Sequence, residues 1–67
     1  MNSETATVFE PAEIGRDANR SAATVKRVAA EAGIEPLRTQ RGARLFTEEQ
    51  AERIKAEIER REREANR

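Results

Sequence analysis

Cysteine and histidine are both missing from this 67-residue chain. Without cysteine there is no disulfide and no thiolate metal site to staple a small fold. Without histidine the commonest general base and the commonest metal ligand are gone. Carboxylates remain, but neither a metal centre nor a nucleophile–base pair is expected from them, and no cofactor is expected. Tryptophan and tyrosine are also absent, and the two phenylalanines, Phe9 and Phe46, read as core. With no aromatic residue among the basic ones, a stacking platform for single strands or RNA is not expected. No apolar run is long enough to span a bilayer, and the opening residues lack the basic start and apolar stretch of a secretory signal. A cytoplasmic, nucleoid-associated protein with no membrane partner is therefore expected. The length allows one domain, which at this size buries only roughly 60 % of its unfolded-chain surface. That leaves little room to enclose a substrate or a small-molecule effector, and a binding protein is expected in place of an enzyme.

The formal net charge is zero, from 13 basic and 13 acidic side chains, but the charges are not evenly spread. Residues 1–19 hold one basic and four acidic side chains, a balance of −3. Residues 20–44 hold six basic ones (Arg20, Lys26, Arg27, Arg38, Arg41, Arg44) and two acidic ones (Glu31, Glu35), a balance of +4. Residues 45–67 hold six basic and seven acidic. A phosphate backbone meets the local block and not the total, so the central segment is the candidate nucleic-acid face.

Residues 1–7 are polar and aperiodic and read as a disordered tail. Val8 and Phe9 are the first apolar pair and the first expected core contact. Pro11 suits the first turn of a helix, Glu13 puts negative charge near its start, and Ile14 and Ala18 share one face; the first helix is predicted over 11–18. Asn19 tolerates the left-handed conformation a tight break requires. Ser21 then caps a second helix, in which Val25, Val28, Ala29 and Ala32 form a buried stripe at i, i+3, i+4, i+7. Gly33 stops it, Ile34 folds back on the last turn and Pro36 prevents continuation. The segments 37–39 and 44–46 around Gly42 predict a short β-hairpin, too short to be stable without the helices. Thr47 and Gln50 make a capping box for a third helix with Ala51, Ile54 and Ile58 inward. Beyond Ile58 almost nothing is left to bury, so residues 59–67 read as a charged, solvated helix extension, supported by the pairs Glu49–Arg53, Glu57–Arg61 and Glu59–Arg63. Residues 8–58 then form the domain.

The expected fold is mainly α with a two-stranded hairpin: a winged helix-turn-helix. Gly15 lies four residues before Asn19, and Val25 six after it. A small residue at the first position lets two helices cross closely, and a β-branched one at the second locks them. This spacing belongs to the motif that lays its second helix in the major groove of DNA. Opposite the buried stripe lie Ala23, Arg27 and Ala30, with Lys26 and Arg20 at the sides. Arg27 suits guanine O6/N7 and Ala23 a thymine methyl, while Ser21 and the helix N-terminus suit a phosphate. Arg38, Arg41 and Arg44 suit the backbone or a narrow minor groove; for Arg38, pairing with a nearby carboxylate is the competing role.

From Phe9 to Ile58 the chain resembles the winged helix-turn-helix of the MerR superfamily, in particular its small excisionase-like members. The resemblance rests on PAEIGRDANRSAATVKR for the helix pair and RTQRGARLFTEEQ for the hairpin and following helix. Where the family has a Gly-Gly-His-Arg-Arg-Tyr-like wing, this chain has Arg41 to Phe46; Gly42 and Arg44 match, Phe46 replaces the aromatic, and the usual His is absent. The resemblance implies double-stranded DNA as partner, in transcription regulation or in recombination control as in phage and mobile elements. It implies a stand-alone member of the kind that assembles side by side on repeated sites. A homodimer or cooperative array on DNA is expected, because one small monomer binds weakly. The competing reading is a protein-interaction or DNA-packaging adaptor module, similar to the small subunit of a terminase.

Overall fold

In the computed structural model, which describes residues 7–66, three helices pack around a small three-stranded antiparallel sheet. The elements are β1 (Val8–Phe9), α1 (Pro11–Ala18), α2 (Ala22–Glu31), β2 (Leu37–Arg38), β3 (Arg44–Thr47) and α3 (Glu48–Ala65). Of the tail expected at 1–7, all but Thr7 lies outside the described residues.

The helix pair is set by three residues in a row of constraints. Asn19 holds φ 61° and ψ 43°, the left-handed conformation its short polar side chain tolerates. That turn brings the Arg20 N–H onto the Gly15 carbonyl at 2.7 Å. It also brings the Arg20 carbonyl so close to Gly15 that a Cβ there would overlap the oxygen. Only glycine permits this crossing of α1 and α2. Ser21 Oγ accepts the Thr24 N–H at 3.1 Å and caps α2 as expected. At the other end Gly33 takes φ 76°, its N–H reaches the Ala30 carbonyl, and the Ile34 N–H reaches that of Ala29. This is the Schellman arrangement, with Ile34 turned into the core.

Two expectations about the sheet are corrected. The β2–β3 hairpin forms, but the sheet has a third strand: β1 pairs with β3 on the side opposite β2, placing Phe9 across from Phe46. Two residues are too short a stretch to display alternation, so this strand exists by pairing across the fold and not by local pattern. Thr39 is not in a strand. Its N–H donates to the Ala43 carbonyl at 3.0 Å, its hydroxyl oxygen accepts the Ala43 N–H at 3.1 Å, and its carbonyl accepts the Gly42 N–H at 2.9 Å. With Gly42 at φ 86°, this is a three-residue hairpin loop closed by a left-handed glycine.

The core is Ile14, Val25, Val28, Ala29, Ile34, Phe46, Ala51, Ile54 and Ile58, with Phe9, Ala18 and Ala32 packed at its margin. The stripes read on all three helices are thus the ones that meet. Val8 is exposed, because it lies on the outer face of the sheet, across from Thr47. Thr47 and Gln50 form the reciprocal capping box, and Gln50 Nε2 also donates to the Glu35 carbonyl at 2.9 Å, tying the start of α3 to the segment after α2. α3 continues unbroken past Ile58, so that boundary marks a change in burial and not in the helix. No helix among the described residues is long and apolar enough to cross a membrane.

The Gly15 contact predicts that Gly15→Ala lowers unfolding stability by about 1–3 kcal/mol, the usual cost of overpacking. Asn19→Gly, which relieves a left-handed residue, is expected to leave it unchanged or raised. Urea unfolding midpoints check both; an unshifted midpoint in Gly15→Ala would contradict the close crossing.

Candidate nucleic-acid interface

The exposed ridge of α2 follows from its own buried stripe. With Val25, Val28 and Ala29 inward, steps of about 100° per residue place Ala23, Arg27 and Ala30 on the opposite side, and all three are exposed. Lys26 borders this ridge toward the β2–β3 hairpin, and Thr24 and Glu31 border it toward α3. Two small alanines beside one arginine give a low ridge with a single long reach.

The hairpin stands beside that ridge. Lys26, Arg27 and Ala30 from α2 line a groove of about 530 Å³ together with Arg38 and Arg44, over a floor that includes Phe46. A second hollow of about 350 Å³, between the start of α1, Ala22 and the hairpin loop, again includes Lys26 and Arg44. Arg38 and Arg44 are direct cross-strand partners, so their side chains share one face of the sheet, an arrangement that like charges disfavour. Among the described residues neither has a carboxylate within ion-pair distance, and the same holds for Lys26, Arg27 and Arg41. The pairing considered for Arg38 is therefore not made among the described residues. Arg41 stands exposed in the hairpin loop beside Gly42 and lines neither groove. Ser21 is exposed at the start of α2; its oxygen holds the Thr24 N–H and lies 3.1 Å from Thr24 Oγ1.

Comparison with protein-family models, curated proteins and solved structures finds no match to this chain.

Arg20 is placed differently from the other basic residues of the central block. Its guanidinium donates to the Asn19 carbonyl at 2.8 Å and is ion-paired with Glu62 near the end of α3. Thus Lys26, Arg27, Arg38 and Arg44 come together with the hairpin, while Arg20 turns to the other flank of α2. There it lines a smaller hollow with Thr24, Arg27, Arg61 and Glu62.

The end of α3 is the charged helix extension expected, with Glu59, Arg60, Arg63 and Glu64 exposed, but Arg61 and Glu62 are half-buried and turn toward α2. Arg61 bonds Glu31 at 2.5 Å and Glu57 at 3.0 Å, and Glu62 takes Arg20, so the last turns are tied to both ends of α2. Of the three helical pairs expected, Glu57–Arg61 forms, while Glu49–Arg53 and Glu59–Arg63 are not among the ion pairs of the described residues. Arg60 also bonds Glu57 and Glu64. The interhelical partners of Arg20 and Glu31 left no trace in sequence spacing, because they join residues far apart in the chain.

The hydrogen bonds from Arg60 and Arg61 hold the Glu57 carboxyl below its ordinary value of 4.5; Glu57 in turn raises the Arg60 guanidinium, and Glu31 followed by Glu57 raises that of Arg61. A lowered carboxylate pKa stabilises the fold above the unfolded-state value and loses that contribution as pH falls through the folded-state one. Stability is therefore expected to decline below about pH 4.5. Glu57→Gln should be less stable at neutral pH and show a smaller loss on acidification. Thermal melts from pH 7 to 3 followed by circular dichroism check this; parallel curves for the two proteins would refute it.

Proposed function

We propose that this protein is a winged helix-turn-helix module that binds double-stranded DNA, with α2 in the major groove and the β2–β3 hairpin as the wing. The observation that carries the reading is the grouping of Lys26, Arg27, Arg38 and Arg44 around one groove, where they outnumber its single acid, Glu35, and none of them is ion-paired among the described residues. In a chain with as many acids as bases, leaving these cations unpaired, two of them directly cross-strand, suits a polyanion that supplies the missing charge.

The roles follow from the geometry. Arg27, flanked by Ala23 and Ala30, is the side chain that reaches base edges; the alanines keep the ridge narrow enough for a groove about 12 Å wide. Ala23 offers a methyl contact to thymine. Ser21 stands at the helix start, where the N–H groups of Ala22 and Ala23, which have no partner within the helix, face a phosphate; its hydroxyl joins that contact when Thr24 Oγ1 is the donor of the bond between the two hydroxyls. Lys26, Arg38 and Arg44 meet one backbone strand, and Arg41 extends the contact from the hairpin loop. The element order supports the resemblance to small MerR-like, excisionase-like proteins, with a third strand added by β1. Binding as a dimer or a cooperative array on repeated sites supplies the affinity that one small module lacks.

Four cations on phosphates, Lys26, Arg38, Arg41 and Arg44, give an expected slope of log K against log salt of about −3.6. Charge reversal at one of them together with the base-reading arginine, Arg44→Glu with Arg27→Glu, should abolish duplex binding while leaving the unfolding midpoint nearly unchanged, because both side chains are exposed. Fluorescence anisotropy against a pool of short duplexes reads this directly. Unaltered affinity in the double variant would reject the DNA reading; salt-insensitive binding to a protein instead would favour the adaptor reading.

A further inference from the structure

We infer that the last turns of α3 set the charge that α2 presents to DNA, with Glu62 holding Arg20 back from a phosphate and Arg61 masking Glu31. The inference rests on the DNA reading above and concerns a flank of α2 that the hairpin does not reach.

A helix seated in the major groove has a phosphate strand on each side. On one side of α2 stand Lys26 and the hairpin arginines. On the other stand Arg20 and Thr24, and the surface there continues into α3 through Arg61 and Glu62. Arg27 lines the hollows on both sides, so the two flanks adjoin one ridge. Arg20 is the one basic residue of the central block that is ion-paired among the described residues, and its partner comes from α3. Glu31 is the only acidic residue of α2, and its partner, Arg61, is the immediate neighbour of Glu62.

The two adjacent residues act with opposite sign. Glu62 competes with a phosphate for Arg20, whose side chain is 37 % exposed and needs only to exchange one oxygen anion for another. Arg61 cancels a carboxylate that would otherwise repel the backbone over about a Debye length of 10 Å. A merely structural role gives no such opposition, since each substitution removes one tie between α3 and α2.

The test measures binding of the full chain to a mixed-sequence duplex of about 20 base pairs, two turns of DNA, across 50–200 mM salt. Glu62→Gln is expected to bind more tightly than the parent, with a salt slope steeper by about 0.9. Its advantage then shrinks roughly 3.5-fold across that salt range. Arg61→Gln is expected to bind several-fold more weakly, and adding Glu31→Gln to it restores the parental affinity. If both single variants weaken binding, or if Glu62→Gln changes neither affinity nor slope while the parent binds with a steep salt dependence, the inference fails and the DNA reading stands. If no variant and no parent binds even at the lowest salt, both fail together.

Discussion

The meeting of Gly15 with the backbone of Arg20 is the contact on which the remaining geometry depends. It lets α1 and α2 cross at a distance that any side chain at Gly15 would prevent. That crossing fixes the direction of α2, and with it the line of Ala23, Arg27 and Ala30 along the surface. Asn19 supplies the left-handed step that makes the turn, and the Arg20 N–H closes it on the Gly15 carbonyl. Valines and an isoleucine from the two helices then fill the space below. The proposed DNA face is therefore a consequence of one missing Cβ, expressed through a rigid helix pair.

A second constraint comes from size. With nine buried residues as its core, the domain has little apolar area to stabilise a hairpin whose first strand has two residues. The hairpin is held by Phe46 beneath it, by β1 alongside, and by Thr39, which closes its loop through backbone and hydroxyl together. These supports hold the β2–β3 arginines at a fixed position beside α2. Two arginines directly across a ladder weaken the strand pair, so the arrangement is costly to the fold; under the proposed DNA reading a phosphate offsets that cost.

Charge distribution separates the two sides of α2. Toward the hairpin, Lys26, Arg27, Arg38 and Arg44 make no ion pair among the described residues. Toward α3, Arg20 and Glu31 are each neutralised by neighbouring residues of one helix turn. The zero net charge of the chain thus conceals an asymmetric surface, because acids and bases cancel pairwise near α3 and not near the hairpin. Under the proposed DNA reading, α3 serves both as a core helix through Ala51, Ile54 and Ile58 and as a charge-setting element through its last turns.

Much of this was legible in the sequence wherever a local rule applied. The bounds of α1, the Ser21 and Thr47 caps, the Gly33 stop, the Gly42 turn and the inward stripes of all three helices depend on residues within a few positions of one another. Hydrogen-bond geometry and helical period act at that range. The concentration of cations between 20 and 44 was equally visible as composition. Three features were decided only by tertiary structure: the pairing of β1 with β3, the capture of Arg20 by Glu62, and the capture of Glu31 by Arg61. Each joins residues that are distant in the chain, and neither period nor spacing encodes such a meeting. Sequence determined which side chains could carry charge and which faces had to be buried. The folded chain decided which of those charges would be cancelled, because ion pairing depends on separation in space.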